Sequence, residues 1–200
     1  MQREVRWWWV RHAPVINPSG NIYGQLDRKA DLSNDAAFAA LAQRLPRGAA
    51  WCVTPLSRTQ DTAARLIAEG TDPLGDPAVE PAFLEQSFGD WQGRPHAEVA
   101  PRGHLAWLAP ATFRPPGGES FADLCARAAP RLDAIAADPP AADIVAVAHG
   151  GTIRAVLGHC LGLDPETALR FRIATLSLTR IIRLAPEEGE PVWLVDAVNS

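Results

Sequence analysis

The hydrophobic residues fall into short, nearly continuous runs that alternate with longer amphipathic stretches. Three of these runs cover Val5–Val10, Ala50–Thr54 and Ile144–Ala148. Such runs are typical of strands that are buried on both faces at the centre of a parallel sheet. Enrichment in Thr, Ile and Val predicts two further strands, near Leu176–Leu184 and Val192–Val198.

Helical patterns lie between these strands, and each begins near a residue that can cap a helix N-terminus. The predicted helices run from Ser33 to about Leu45, from Ser57 or Thr59 to about Glu69, from a capping box of Ser120 and Asp123 to about Ala137, and over Thr152–Leu161. Alternating strands and helices predict an α/β fold with a mostly parallel sheet. The pattern contains no repeat or linker, so we expect a single domain over residues 1–200.

Two stretches depart from this alternation. Residues 14–31 and 71–119 are rich in Pro, Gly, Asn and Asp. Loops of that length inside a compact domain usually serve as lids or binding loops, so we expect them to border a functional site.

The charge balance excludes several classes of partner. The chain has 200 residues with 19 basic and 23 acidic side chains, a net charge of -4. This balance gives no electrostatic basis for binding nucleic acid or an anionic membrane. No apolar stretch is long enough to span a membrane, and the apolar run near the N-terminus is too short for a signal peptide. We therefore expect a cytoplasmic protein.

The predicted strands deliver basic side chains to one edge of the sheet. The first strand ends in Arg11 and His12, the second leads to Arg58 at a helix start, and the third ends in His149 and Gly150. Ligands of open α/β sheets bind at the carboxyl ends of the strands. Glycine allows close backbone approach, and a helix N-terminus favours an anion. The placement therefore predicts an anion pocket, most simply for phosphate.

Four short motifs occur in a distinctive order along residues 5–162. They are Arg11-His12, Pro55-Leu56-Ser57-Arg58, Leu84-Glu85 followed by Phe88–Gly93, and Ala148-His149-Gly150-Gly151. Together they resemble the histidine phosphatase superfamily, the phosphoglycerate-mutase-like group. The resemblance implies a three-layer α/β sandwich, with the central sheet flanked by helices, and a phosphatase that acts on a small phosphomonoester.

Further segments look like those of bacterial α-ribazole phosphatases. These segments are Tyr23-Gly24-Gln25 with Asp27, Pro116–Ser120 and Gly150–Arg154. This finer resemblance implies hydrolysis of α-ribazole 5′-phosphate during assembly of the cobalamin nucleotide loop.

The resemblance also implies a mechanism with named roles. His12 would attack phosphorus and become phosphohistidine, while Arg11, Arg58 and His149 would hold the phosphoryl oxygens. Glu85 would protonate the leaving alkoxide and then activate water. A substrate dianion nearby favours the neutral carboxyl group, because like charges disfavour ionisation. No metal and no cofactor enter this chemistry.

The substrate loop departs from the common pattern of the family. Candidate substrate contacts are Asn17, Tyr23, Gly24 and Gly150. Pro18 stands where many members have an asparagine that contacts phosphate, so Asn17 or Ser19 would complete the phosphate shell after a small loop shift.

Several residues keep two interpretations. Arg154 could form a salt bridge on its helix or contact the substrate. Glu119 could provide a favourable charge at a helix start or act in the site. Tyr23 could contact the substrate or pack within the loop. An apolar base would need an aromatic wall, whereas a phosphoglycerate would need an extra cation at the pocket mouth. Candidates for the wall are Tyr23, Trp91 and Trp107, and candidates for the cation are Arg94, Arg102 and Arg114.

Other functions compete with this interpretation. Cys52 and Arg58 have the spacing of cysteine-dependent phosphatases, but Pro55 removes an N–H from the intervening loop, which also lacks glycine. Cys52, Cys125 and Cys160 instead fit buried reduced thiols. A phosphoglycerate mutase or a broad sugar-phosphate phosphatase would use the same site, and a regulatory module that binds phospho-ligands is the non-enzyme alternative. The sequence leaves the oligomeric state open.

Overall fold

A computed structural model of the chain describes residues 3–17, 19–99 and 110–200. These residues form a six-stranded sheet with the strand order β3-β2-β4-β1-β5-β6. The strands are β1 (Arg3–Arg11), β2 (Ala50–Val53), β3 (Ala78–Val79), β4 (Asp143–Ala148), β5 (Leu178–Ala185) and β6 (Val192–Ala197).

The sheet is mixed, with its parallel part at one side. The β3–β2, β2–β4 and β4–β1 pairs are parallel, whereas β1–β5 and β5–β6 are antiparallel. Residues 186–191 connect β5 to β6. A connection this short can join only antiparallel strands, because parallel strands need a longer crossover. The α/β prediction with a mostly parallel sheet is confirmed, since three of these five pairings are parallel.

Helices cover both faces of the sheet. They are α1 (Asp35–Ala42), α2 (Ser57–Ala68), α3 (His96–Val99), α4 (Phe121–Ala137), α5 (Gly150–Cys160) and α6 (Pro165–Ala168). Side chains alternate along β4, so that Ile144 and Ala146 join a core with α4 and α5, whereas Val145 and Val147 join a core with α1 and α2. The result is the three-layer arrangement that the resemblance implies.

Three consecutive tryptophans of β1 point to alternate faces of the sheet. Trp7 and Trp9 are fully buried and stack with a centroid distance of 5.2 Å. Phe83 packs edge-on against Trp9 at 5.0 Å, which fixes the chain two residues before Glu85. Trp8 faces the other way, beneath the guanidinium of Arg180 and with its indole N–H donating to Asp143.

The helix starts were predicted with mixed success. Ser120 and Asp123 form the reciprocal capping box at α4, as predicted. The prediction that Ser33 caps α1 is wrong, because the side chain of Asn34 accepts from the N–H of Ala37 at 3.1 Å. The hydroxyl of Ser33 is instead bonded to Asp31 at 2.6 Å.

The two predicted loops carry only short elements where the structure describes them. Besides β3 and α3, residues 71–119 include single 3-10 turns over Pro81–Phe83 and Gly89–Trp91. Pro18, Arg102 and Trp107 lie outside the described residues. Within the described ranges, each helix is too short or too polar to cross a membrane.

Candidate active site

The carboxyl ends of β1, β2 and β4 lie side by side, as the parallel pairing requires. Arg11 is in register with Ala148, and the N–H of His12 donates to the carbonyl of Ala148 at 2.9 Å. This register brings the next residues together, with the ring centroids of His12 and His149 5.2 Å apart. The two histidines that are far apart in sequence therefore share one site.

His12 is held as a neutral imidazole of defined tautomer. Its ring is 1% exposed, and its Nδ1 lies 2.7 Å from the carbonyl of Ala13. A carbonyl can only accept, so Nδ1 carries the proton and Nε2 keeps its lone pair. Burial, with the charges of Arg58 and Arg11, lowers the pKa of His12 to about 3. The geometry thus makes Nε2 a nucleophilic nitrogen.

Arg58, in the first turn of α2, is completely buried. Its Nη1 donates to the carbonyl of Leu26 at 2.9 Å, and its Nη2 donates to the carbonyl of Gly24 at 2.6 Å. Burial lowers the pKa of the guanidinium, although nearby carboxylates oppose that shift. The guanidinium also lies 5.1 Å from the ring centroid of Tyr23. The loop after β1 therefore wraps around this cation.

Gly24 allows that loop to close. Its φ is +46°, and an added Cβ would overlap Gln92 Oε1 and the ring of Phe88. Asp27 completes the closure from the same loop, since its carboxylate accepts from the N–H of Ser57 at 2.8 Å. Gly24 was predicted as a substrate contact, and the structure gives it a structural role as well. The contact of Asp27 with the start of α2 was not predicted.

Arg11 and Gly150 border the same space from two neighbouring strands. Nη1 of Arg11 donates to the carbonyl of Ile173 at 2.6 Å, which fixes the guanidinium. An added Cβ at residue 150 would lie 3.4 Å from that guanidinium carbon. The absence of a side chain at Gly150 therefore leaves the first turn of α5 open toward Arg11.

His149 precedes α5 and has no exposed surface. Its Nε2 is 3.0 Å from the hydroxyl of Thr54, at the end of β2. Burial and the neighbouring His12 and Arg58 lower its pKa well below the ordinary value, so the ring is neutral. A neutral ring that is oriented by Thr54 can present one N–H to an anion.

Glu85 reaches the site from the loop after β3. Its Oε2 accepts from the N–H of Gly151 at 3.3 Å, and its Oε1 accepts from Gln86 at 2.9 Å. An added Cβ at residue 151 would overlap Oε1. The backbone carbonyl of Glu85 accepts a hydrogen bond from Gln25 Nε2 at 2.8 Å. Gly151 is therefore needed for the carboxylate to lie against the start of α5.

A polar network holds the segment that carries Glu85. Arg127 of α4 donates to the carbonyls of Ala82 at 2.7 Å and Leu84 at 3.2 Å, and it forms an ion pair with Glu119 at 2.7 Å. Glu119 also accepts from the N–H of Ser87 at 3.0 Å. The structure thus gives Glu119 a part in supporting the loop.

A cavity of about 230 Å³ is lined by Arg11, Gly24, Glu85, Gly150 and Gly151, whereas the buried His12, Arg58 and His149 are not among its lining residues. Tyr23, Trp91 and Arg154 also line it, together with Ile22, Gln86, Phe88, His96, Pro110, Phe113, Pro115, Phe121 and Leu169. Asn17 is not brought to this cavity, since its amide donates to and accepts from the backbone of Asn21, at 2.8 and 3.2 Å. Ser19 is exposed in the same turn.

The sequence profile of the histidine phosphatase superfamily, branch 1, matches residues 7–197. The chain belongs to this superfamily. Its matched segment contains every strand-end residue described above and the Glu85 loop.

The family includes close relatives with named activities. A glucosyl-3-phosphoglycerate phosphatase of Mycolicibacterium vanbaalenii is 35% identical over 175 residues, which cover 78% of this chain and 74% of that protein. The native structure of a mycobacterial glucosyl-3-phosphoglycerate phosphatase superposes with a TM-score of 0.82 at 28% identity, over 99% of this chain and 100% of that chain. A putative α-ribazole-5′-P phosphatase from Escherichia coli superposes with a TM-score of 0.79 over 98% and 96% of the two chains. Its 21% identity shows a shared fold alone.

Cys52 is placed as a core residue of this histidine phosphatase. It lies within β2, 7% exposed, and burial raises the pKa of its thiol to about 12. A thiol that stays protonated is a poor nucleophile. Among the described residues, groups of three or more metal-ligating side chains are also absent.

A serine at position 52 should therefore leave most of the activity intact. Cys52→Ser keeps the size of the side chain and removes any thiolate chemistry. The comparison is the rate of phosphate release by variant and wild type, with circular dichroism to confirm equal folding. Complete loss of activity in well-folded Cys52→Ser protein would restore the cysteine mechanism.

Proposed function

We propose that this protein is a phosphomonoesterase that works through a phosphohistidine intermediate on His12. The observation that carries the proposal is the state of that imidazole: it is buried and neutral, and its Nδ1 is bonded to the carbonyl of Ala13 at 2.7 Å. Nε2 is thereby unprotonated, as attack on phosphorus requires. The cations Arg11 and Arg58 flank it and favour the negative charge of a phosphoryl group.

The reaction proceeds in two balanced steps. In the first, Nε2 of His12 forms a bond to phosphorus, the ester P–O bond breaks, and the leaving oxygen takes a proton from Glu85. In the second, Glu85 removes a proton from water, the water oxygen bonds to phosphorus, and the N–P bond breaks. His12 then returns to its neutral form, and Glu85 is again protonated.

Unpaired buried nitrogens support a phosphoryl group as the ligand. Arg11 Nε, Arg58 Nε and His149 Nδ1 are buried and make no hydrogen bond within the described part of the chain. Buried polar atoms normally have partners, and these three belong to residues grouped at the carboxyl ends of the strands, where a bound anion would satisfy them. Two of them belong to arginines, which bind phosphate oxygens more specifically than lysine does.

The first substrate class we propose is a phosphoglycerate that carries a sugar. The relative with 35% identity is a glucosyl-3-phosphoglycerate phosphatase. The cavity here has the features that such an ester needs, because Arg154 supplies a cation for a carboxylate and Trp91 supplies an aromatic surface for a sugar ring.

A second candidate is α-ribazole 5′-phosphate, which the apolar wall of the cavity favours. Trp91 and Phe113 both line the cavity, with ring centroids 5.4 Å apart, and Phe88 and Ile22 extend this surface. A dimethylbenzimidazole would pack against such a wall. The ester has no carboxylate, so it offers no anionic group to Arg154.

A substrate panel tests both levels of the proposal. The enzyme should release phosphate from p-nitrophenyl phosphate in the presence of a chelator. It should also hydrolyse glucosyl-3-phosphoglycerate with a kcat/KM at least about tenfold above that for α-ribazole 5′-phosphate, a margin of about 1.4 kcal/mol. A higher value for the ribazole ester would establish the second candidate. Conversion of 3-phosphoglycerate to its isomer without phosphate release would indicate a mutase, and no turnover at all would leave only a binding module.

A further inference from the structure

Arg154 brings a cation into the cavity from a different element than the phosphate-facing arginines. It lies on α5, one turn after Gly150 and Gly151, and its side chain lines the cavity. Its Nε donates to the carbonyl of Phe171 at 2.7 Å, which fixes the plane of the guanidinium. A guanidinium held in one orientation can form two parallel hydrogen bonds to a planar anion.

One short segment orients two cavity arginines. The carbonyl of Phe171 accepts from Arg154, and the carbonyl of Ile173, two residues later, accepts from Arg11. Burial lowers the pKa of Arg154, while the carboxylate of Glu85 opposes that shift. Burial thus disfavours the charged form of the Arg154 guanidinium, and the nearby carboxylate of Glu85 favours it.

The phosphate group does not require this cation. His12, Arg11, Arg58 and His149 already surround the position proposed for the phosphoryl group, and Arg154 lies a full helical turn beyond the start of α5. Arg154 is therefore placed to meet the part of the substrate that leaves with the ester oxygen.

Two of the three loop arginines that were predicted to supply such a cation have other positions, and the third, Arg102, lies outside the described residues. Arg94 pairs with Glu98 at 3.8 Å, and Arg114 pairs with Asp123 at 2.8 Å. Both are more than half exposed, and neither is among the residues that line the cavity. The cation that lines the cavity is Arg154 of α5, for which a substrate contact was one of two interpretations of the sequence.

We infer that Arg154 determines specificity by binding a carboxylate in the leaving group of the substrate. This inference rests on the proposed phosphatase function and narrows its substrate to acidic esters of the phosphoglycerate kind. In 3-phosphoglycerate, two carbons separate the ester oxygen from the carboxylate carbon, so the molecule carries two anionic groups a short distance apart, and Arg11 and Arg154 line one cavity. The planar carboxylate matches the planar guanidinium.

Two substrates that differ only at the carboxylate isolate this contact. 3-Phospho-D-glycerate and sn-glycerol 1-phosphate have the same primary phosphate ester and the same arrangement at the central carbon, but the second has a hydroxymethyl group in place of the carboxylate. We expect the wild type to prefer 3-phosphoglycerate in kcat/KM. In Arg154→Gln, the ratio of the two kcat/KM values should fall by at least about tenfold, because a charged hydrogen-bonded pair is lost. Arg154→Lys should retain part of the ratio, since it keeps the charge but not the planar fork.

The ratio is taken on one preparation, so it does not depend on the fraction of folded enzyme. Arg114→Gln is the matched control, since the same change at an arginine outside the cavity should leave the ratio at its wild-type value. A wild-type ratio near one would overturn the inference. Equal losses on both substrates in Arg154→Gln and Arg154→Lys, with a shifted pH profile, would also overturn it and indicate action through Glu85. In either case, turnover of both esters by the wild type would leave the phosphatase proposal standing, whereas no turnover would refute that proposal itself.

Discussion

Replacement of His12 by alanine should abolish both turnover and the phosphoenzyme. The variant loses the nitrogen that is proposed to bond to phosphorus, and the other buried histidine is held against Thr54 with a separate role. Loss of a catalytic nucleophile lowers rates by roughly four orders of magnitude or more. Single-turnover measurements with a radiolabelled phosphate ester should show rapid, acid-sensitive labelling of the wild type and none of His12→Ala.

His159→Ala provides the control for this change. His159 lies near the end of α5 and pairs with Asp133 at 2.9 Å, away from the cavity-lining residues. Its loss should leave the labelling unchanged. Labelling of the wild type on any residue other than His12 would refute the assignment of the nucleophile.

The depressed pKa of His12 determines which pH dependence is expected. With a pKa of about 3, the imidazole is neutral throughout the range in which an ordinary histidine titrates. Protonation of the nucleophile would therefore reduce kcat/KM only at far more acidic pH. A fall in activity near pH 6 should follow the substrate phosphate instead, and it should move with the second pKa of the ester that is used.

The strands and the site histidines could be predicted because their signals are local. The continuous apolar runs predict β1, β2 and β4, and each run leads directly to a site residue at its carboxyl end. Once those strands are parallel neighbours, His12 and His149 must lie together. The capping box of Ser120 and Asp123 was equally accessible, because its two partners are three residues apart.

The interactions that the sequence could not predict join distant segments. Asp27 binds the start of α2 from 30 positions away, and the carbonyl that orients Arg11 belongs to a residue 162 positions later. Arg154 was left between two interpretations because its partner is a backbone carbonyl, which any residue type could supply. The turn that engages Asn17 with Asn21 was missed for a similar reason: each amide fits a turn as readily as it fits a phosphate contact.

Replacement of Glu85 by glutamine should reduce the rate by about 10² to 10⁴, the scale of general acid–base catalysis. Glutamine keeps the size and the acceptor oxygen that faces the N–H of Gly151, but it has no proton to transfer. The surrounding contacts to the segment, from Gln25, Arg127 and Thr152, reach backbone carbonyls and survive the change. The loss should therefore arise from chemistry and not from a displaced loop.

The leaving group distinguishes proton donation by Glu85 from simple positioning. A sugar or glycerate alkoxide needs a proton as the P–O bond breaks, whereas p-nitrophenolate is stable without one, so the loss in Glu85→Gln should be much larger for the alkoxide esters. Glu98→Gln makes the same change at an exposed carboxylate that pairs with Arg94, and it should alter neither rate. Equal losses on both kinds of ester would mean that Glu85 holds the phosphate in place and donates no proton. A steep dependence on the leaving group would identify it as the acid that completes the first step at His12.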